Sequence, residues 1–102
     1  MKEIYKEVII LCSNTADCLK SMKILQASGY NDVAGTPEDY ITEILKREGI
    51  VAIAAFSDMS LIVGSFYPTK YRHNINTDTF IVKMILHSKD LNEDIIQKFW
   101  KR

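Results

Sequence analysis

The sequence predicts one α/β domain of the α+β type, in which a mixed four-stranded sheet carries its helices mainly on one face. Three observations predict this class: an apolar run at residues 8–11 leads into a capped amphipathic helix, a second capped helix passes directly into the apolar run 50–56, and a short polar turn at 57–60 separates that run from another apolar segment. The predicted order of elements is β-α-α-β-β-β-α.

Length and charge restrict the function classes. The 102 residues suffice for one globular domain, 1–102, with a hydrophobic core. Thirteen Lys and Arg balance 13 Asp and Glu, which argues against both an acidic DNA-mimicking surface and a globally basic nucleic-acid binder. The apolar run 50–56 is far shorter than the roughly 20 residues of a membrane span. Two cysteines without a secretion signal favour reduced thiols, so we expect a soluble cytoplasmic protein that makes no membrane contact.

The first strand and helix are read from residues 8–30. The uninterrupted apolar run 8–11 is typical of a strand covered on both faces. A helix is predicted to begin near Asn14 and to end at Gly29, which can adopt the left-handed conformation. Tyr30 is then expected to pack back on Leu25.

The second helix and the following hairpin are the next predicted elements. Thr36 supplies an N-cap hydroxyl, Pro37 occupies the first helical position, and Gly49 ends the helix. Residues 50–67 read as an antiparallel hairpin in which Gly64 indicates a bulge or a close backbone approach. Two helices connect the first strand to the second, which predicts a right-handed crossover and parallel pairing if these strands are neighbours.

The last strand and helix complete the chain. In the strand at 79–86, alternate residues from Phe80 to Leu86 are predicted to share one face, and Lys83 marks the other as partly wet. The final helix is predicted to begin at Asp90, with a capping-box partner three residues later, and to direct Phe99 and Trp100 toward the core.

Cys12 and Cys18 are the candidate catalytic residues. Cys12 is expected at the end of the first strand and Cys18 in the first turns of the helix, where unpaired amides can lower a thiol pKa. Five residues separate them, whereas a thioredoxin-like redox pair has two. The alternative is that both are small apolar residues that line the junction of strand and helix.

The segment CSNTADCLKSMKI, residues 12–24, resembles the phosphocysteine loop of the B domains of sugar phosphotransferase systems. The resemblance implies that Cys12 is phosphorylated and that Ser13 to Asp17 cradle the phosphate. This chain departs from that pattern because the loop has no glycine and because the Asp17 carboxylate disfavours a dianion. The family also has an all-parallel sheet where a hairpin is predicted here.

The loop at residues 67–78 is the candidate binding site. It interleaves aromatic and cationic side chains that can stack on bases and contact phosphates: Tyr67, Lys70, Tyr71, Arg72 and His73. A solvated connection explains the same composition. His73 and His87 have no carboxylate or cysteine at ligand spacing, so we expect neither a metal site nor a cofactor.

The segments VIILCSNTADCLKSMKILQASGY and IVAIAAFSDMSLIVGSFY together resemble small accessory proteins encoded by bacteriophages. The resemblance implies a non-enzymatic protein that binds and modulates a host protein. The leading hypothesis is therefore a small regulatory or interaction protein that binds another protein or a second copy of itself, through a sheet edge or the 67–78 loop. The alternatives are nucleic-acid binding through that loop and a thiol or phosphocysteine enzyme that uses Cys12.

Overall fold

A computed structural model describes residues 3–32, 35–66 and 78–101, which form one mixed sheet with helices packed on it. The strands in the described residues are β1 (Glu3–Cys12), β2 (Asn31–Asp32), β3 (Val51–Phe56), β4 (Ser60–Gly64) and β5 (Asp78–His87). The helices there are α1 (Thr15–Ala27), α2 (Glu38–Glu48) and α3 (Glu93–Lys98), with a 3-10 turn, Ser88–Asp90, before α3. The strand order is β2-β4-β3-β1-β5.

The described sheet has five strands. The predicted class, a mixed sheet with helices, is therefore correct, but the predicted number of four strands is one too few. The additional strand is β2, only two residues long, which pairs in parallel with Ser60 and Leu61 of β4. Its residues, Asn31 and Asp32, are polar and have no apolar alternation. This strand exists through its pairing with β4, and local sequence carries no signal for it.

The predicted parallel pairing of the first strand with the strand at 51–56 is wrong, because β1 and β3 are antiparallel neighbours. β2 is parallel to β4, which is antiparallel to β3, so β2 runs in the same direction as β1. The parallel crossover is therefore β1-α1-β2, and α2 reverses the chain before β3. The predicted hairpin is confirmed, since β3 and β4 pair antiparallel across a turn whose Met59 has φ of 72°.

The ends of α1 follow the prediction. Asn14 is the N-cap residue, and its Oδ1 accepts a hydrogen bond from the backbone N–H of Asp17 at 2.8 Å. At the other end, the N–H of Tyr30 donates to the carbonyl of Leu25 at 3.1 Å, and the N–H of Gly29 donates to Gln26 at 3.0 Å. This is a Schellman motif closed by a glycine with φ of 102°. The motif ends the helix and turns the buried Tyr30 toward the core.

The starts of α2 and α3 differ from the prediction. Pro37, and not Thr36, is the N-cap residue of α2, and no side chain caps this end. The N–H of Thr36 donates to Oδ2 of Asp32 at 2.7 Å in the segment before the helix. Asn92 caps α3 by accepting from the N–H of Ile95 at 3.0 Å. Asp90 is not the start of this helix, since it closes the preceding 3-10 turn.

The main core lies between one face of the sheet and all three helices. Alternate residues of the central strands face it, and the helices contribute their apolar stripes. Its fully buried members include Val8, Ile10, Cys12, Ile53, Ala55 and Leu61 from the strands and Cys18, Leu25, Ile41 and Phe99 from the helical side. α1 therefore contributes Cys18 to the same core as the sheet residue Cys12.

The opposite face of the sheet, here called the outer face, carries an apolar row across four strands. Strand registers align Ile62 of β4, Ala54 of β3, Ile9 of β1 and Ile85 of β5. The central two side chains are buried, whereas the flanking Ile62 and Ile85 are 45% and 52% exposed. The row therefore ends in large exposed apolar groups on both sides.

A β-bulge interrupts β5. Glu7 pairs with Val82 and the next residue, Val8, pairs with Met84, so Lys83 is the additional residue. The uninterrupted alternation predicted from Phe80 to Leu86 is therefore wrong. Beyond the bulge, Met84 and Leu86 pack against the main core, and Ile85 lies on the outer face.

Candidate functional site

The carboxyl ends of the parallel strands β1 and β5 meet at one end of the sheet. The strands pair in register up to Leu11 and His87, so Cys12 and Ser13 lie beside His87 and Ser88 where the chain leaves the sheet. α1 follows β1 and the 3-10 turn follows β5. Ligand and reaction sites in α/β folds lie at such carboxyl ends, and the sequence-predicted Cys12 lies there.

The cap of α1 orients this junction. The side-chain amide of Asn14 makes two hydrogen bonds to Asp17. Its Oδ1 accepts from the Asp17 N–H, and its Nδ2 donates to Asp17 Oδ2 at 3.0 Å. The Asn14 carbonyl also accepts the N–H of Cys18 at 3.2 Å. The first turn is thereby fixed with Cys18 on the buried side of the helix.

The structure brings the two sequence-predicted cysteines together in a buried cluster. Both side chains are 0% exposed and belong to the same buried core. Ser21, one helical turn beyond Cys18, and Ser88 of the 3-10 turn are also buried. The Ser88 hydroxyl has no hydrogen-bond partner among the described residues.

The cluster separates the proton affinities of the two thiols. The neighbouring Cys18 thiol lowers the pKa of Cys12, against the opposing effect of burial, and the Ser21 hydroxyl lowers it further. The negative charge of Asp17 raises it. The pKa of Cys18 is raised by the neighbouring Cys12 sulfur and by burial. The pKa of Cys12 therefore lies below that of Cys18.

Ser13 and His87 form a second polar contact at the surface of the junction. Ser13 Oγ lies 3.3 Å from His87 Nε2, and His87 Nδ1 accepts the backbone N–H of Lys89 at 3.5 Å. An imidazole whose Nδ1 accepts carries its proton on Nε2 when neutral, so His87 donates to the Ser13 hydroxyl. A histidine that donates to a serine does not activate it as a nucleophile, so the contact links the two strand ends.

The geometry at the start of α1 is relevant to the phosphocysteine resemblance, although it does not test phosphorylation of Cys12. The Asn14 side chain occupies the amide of Asp17 that a phosphate would use, and the Asp17 carboxylate lies close enough to raise the pKa of Cys12. Both features disfavour a dianion at this helix start. Phosphorylation of Cys12 stays a prediction.

The predicted binding residues Tyr67, Lys70, Tyr71, Arg72 and His73 lie outside the described residues.

The sequence analysis did not assign Ser21, His87 and Ser88 to a site. A signal for Ser21 existed, because it lies three residues after Cys18 on the same helical face as the buried Met22 and Leu25. No local signal placed His87 and Ser88 there, since they reach the junction through the pairing of β5 with β1.

Two adjoining depressions between α1 and α3 are the other concave features of note. Their volumes are about 270 and 430 Å³, and both are bordered by Ser28 and Glu93. The larger is lined mainly by Ile24, Ala27 and Leu91 with Lys20 at its side. In the smaller one, the Trp100 indole N–H donates to the Tyr30 hydroxyl at 2.7 Å, and burial raises the pKa of that phenol. Cys12, at the carboxyl end of β1, remains the candidate for chemistry.

Comparison with protein-family models, curated proteins and solved structures finds no match to this chain. Within the described residues, no helix has the length and apolar character needed to cross a bilayer. Across the same ranges, no three His, Cys, Asp or Glu side chains are grouped so that they could hold a metal ion.

Proposed function

We propose that the protein is a small non-enzymatic interaction protein whose binding surface is the edge of β5, and that in isolation this edge pairs with a second copy of the chain. The observation that carries the proposal is Ile85, a large apolar side chain that is 52% exposed on a strand at one end of the sheet. Among the described strands, β5 pairs with β1 alone, so its other edge offers backbone hydrogen-bonding groups.

The usable part of the edge begins after the bulge. At the bulge, the Lys83 Nζ donates to the carbonyl of Lys101 at 2.7 Å, which holds the end of the chain beside the strand. Bulges and lysines are devices that hinder strand addition. The segment from Met84 to His87 carries neither device, so we assign the pairing to it.

A second copy suits this segment because the segment complements itself. In antiparallel pairing centred on Ile85, the two Ile85 side chains would be neighbours on the outer face. Met84 would then face Leu86 of the other copy and extend the main core across the interface. The formal net charge of zero leaves little overall repulsion between copies.

The buried thiols support a binding role over an enzymatic one. Cys12 and Cys18 are 0% exposed, so a substrate of ordinary size cannot contact either sulfur in this conformation. The Ser13 and His87 pair is oriented with the imidazole as donor. An exposed apolar edge, by contrast, is available to a partner without rearrangement.

The test is the molar mass of the full chain in solution over a wide concentration range, by sedimentation or light scattering. We expect a dimer that dissociates on dilution. Ile85→Arg should raise the dissociation constant about tenfold or more, because it places a charge at the centre of the pairing. Ile62→Arg is the matched control, since Ile62 is 45% exposed on the same face but on β4.

Two results would contradict the self-association. One is a wild-type chain that remains monomeric at millimolar concentration, and the other is an Ile62→Arg variant as defective as Ile85→Arg. A monomer that captures a different protein from its native host in an Ile85-dependent way would refute the second copy as partner and would instead favour the host-protein hypothesis.

A further inference from the structure

The cleft between α1 and α3 contains Trp100, the single tryptophan of the chain. The cleft consists of the two adjoining depressions of about 270 and 430 Å³, which share Ser28 and Glu93. The larger alone lies within the range of about 300–1,000 Å³ that is usual for small-molecule sites. We propose that this cleft binds a small organic amine as its cation, with the ammonium group against Trp100 and Glu93 and the apolar body in the larger depression.

Two aromatic rings line the smaller depression and hold each other in place. The indole N–H of Trp100 donates to the Tyr30 hydroxyl at 2.7 Å, and Tyr30 is 4% exposed. The buried Phe99 packs on the same indole, with ring centroids 6.0 Å apart and an interplanar angle of 79°. Because its N–H is already engaged, Trp100 can offer a ligand only its π surface, which attracts cations.

The charge of the smaller depression favours a cation as well. Of the described residues that line it, Glu93 alone is charged. Within residues 3–32, 35–66 and 78–101, Glu93 takes part in no salt bridge. A carboxylate without a cationic partner and an indole ring at the same depression complement an ammonium group.

The Tyr30 hydroxyl supplies a further polar contact. A phenol oxygen has two lone pairs, and one of them accepts the N–H of Trp100, so the other can accept an ammonium N–H. Burial raises the pKa of Tyr30, which keeps the phenol neutral. The hydroxyl and the Glu93 carboxylate are thus two acceptors for the N–H groups of a protonated amine.

The larger depression determines which end of the ligand it receives. Ile24, Ala27 and Leu91 line it, and Lys20 lies at its side. The Lys20 ammonium repels a second cation there, whereas the apolar side chains can cover a ring or a short hydrocarbon chain. The ligand is therefore oriented with its charge in the smaller depression and its apolar body in the larger one.

The experiment follows the tryptophan emission of the full chain, excited selectively, while benzylamine is added at neutral pH and low ionic strength. Trp100 is the single tryptophan, so this signal comes from the cleft itself. Benzyl alcohol and benzoate, which carry the same ring without charge and with a negative charge, are the matched ligands. We expect saturable binding of benzylamine, about fivefold weaker binding of benzyl alcohol and no saturation with benzoate.

A pair of neighbouring acids provides the variants. Glu93→Gln should weaken benzylamine binding about threefold and leave the affinity for benzyl alcohol unchanged, because it removes the charge and keeps the shape. Asp94→Asn is the matched control, since Asp94 is exposed in the same helical turn but borders neither depression. It should leave both affinities unchanged.

Several results would overturn the proposal. They are the absence of saturable benzylamine binding at millimolar concentration, benzoate binding as tight as that of benzylamine, and an Asp94→Asn loss equal to that of Glu93→Gln. Tighter binding of N-acetyl-lysine methylamide than of benzylamine would overturn the free amine as occupant, because that probe represents a lysine of a partner protein. The wild-type ligand series decides the question even if a variant fails to fold.

This inference is independent of the proposed binding function. Wild-type chains that bind benzylamine but remain monomeric would refute self-association alone. Chains that dimerise through Ile85 but show no preference for the cationic ligand would refute the amine site alone.

Discussion

The carboxyl end of β1 and the edge of β5 depart from ordinary burial in opposite directions. At the first, titratable thiols and two serine hydroxyls are enclosed in the core; at the second, Ile85 presents a large apolar side chain that is half exposed. Buried polar groups and exposed apolar groups are the informative exceptions in a globular domain. The comparison sets thiols enclosed in the core at the end of β1 against an exposed apolar group on β5, where we propose that recognition takes place.

The largest expected difference between these regions is in stability. Leu25→Ala removes a fully buried side chain on the helix that carries Cys18 and should cost about 2–5 kcal/mol of unfolding free energy. Ile85→Ala should change it by about 0.5 kcal/mol or less. Urea denaturation at a concentration low enough to keep the chain monomeric measures both. Equal losses would mean that Ile85 is as well packed as the core.

The second prediction concerns the pH dependence of the thiol cluster. The lowered pKa of Cys12 stabilises the fold above the ordinary thiol pKa of 9.0, and this contribution is lost as pH falls through the lowered value. The raised pKa of Cys18 acts in the opposite sense, so its contribution is present below 9.0 and is lost as pH rises further. The pair should therefore stabilise the fold most near the ordinary thiol pKa.

Thiolate absorbance and urea denaturation over the alkaline range test this prediction. Cys18→Ala removes the neighbouring group that lowers the pKa of Cys12 most, so the pKa of Cys12 should rise. Ile85→Ala is the control and should leave the titration of Cys12 where it is. A Cys12 titration that does not respond to the loss of Cys18 would show that Cys18 does not govern its pKa.

The third prediction uses two matched helix caps. Asn14→Ala and Asn92→Ala each remove a side chain that accepts an N–H three residues later, at 2.8 and 3.0 Å, and each should cost about 1 kcal/mol. Asn14→Ala should also speed thiol alkylation, since it loosens the turn that covers Cys12 and Cys18. Asn92→Ala should leave that rate unchanged. If both caps alter the rate equally, the thiols are reached by global unfolding and not by local opening at α1.

The smallest expected effect lies at the bulge in β5. Lys83→Val removes a gatekeeper charge beside the proposed pairing segment and should tighten self-association by about threefold, because the edge becomes a better strand partner. Lys89→Val, which removes an exposed cation just beyond the strand, is the control and should have no such effect. Sedimentation of both variants measures the change, and weaker association of Lys83→Val would mean that this lysine supports the pairing.

Prediction from sequence succeeded where the determinants were local. The Asn14 cap, the Gly29 terminator and the β3-β4 hairpin each depend on residues close together in the chain, and all were confirmed. The two-residue β2 was missed because its polar residues become a strand only beside β4. The start of α2 was misplaced by one residue, because Pro37 and not Thr36 is its N-cap.

The candidate site likewise combines features that the sequence predicted with features that depend on the fold. Sequence placed Cys12 at a strand end and Cys18 in the following helix, but the spacing rule for redox pairs gave no reason to join them. Their burial in one core depends on how α1 leaves the sheet, and Ser88 reaches this end of the sheet through the pairing of β5 with β1.

By itself, the sequence determined the α+β class, the caps of α1 and the hairpin, because helix periodicity, capping side chains and turn residues act over a few positions of the chain. The tertiary structure alone decided that β1 and β3 are antiparallel, that Ile85 is half exposed on an end strand of the described sheet and that Cys12 and Cys18 are buried in one core. Each of these depends on which strands become neighbours, and that choice is made by burial across the whole chain and not by any segment of it.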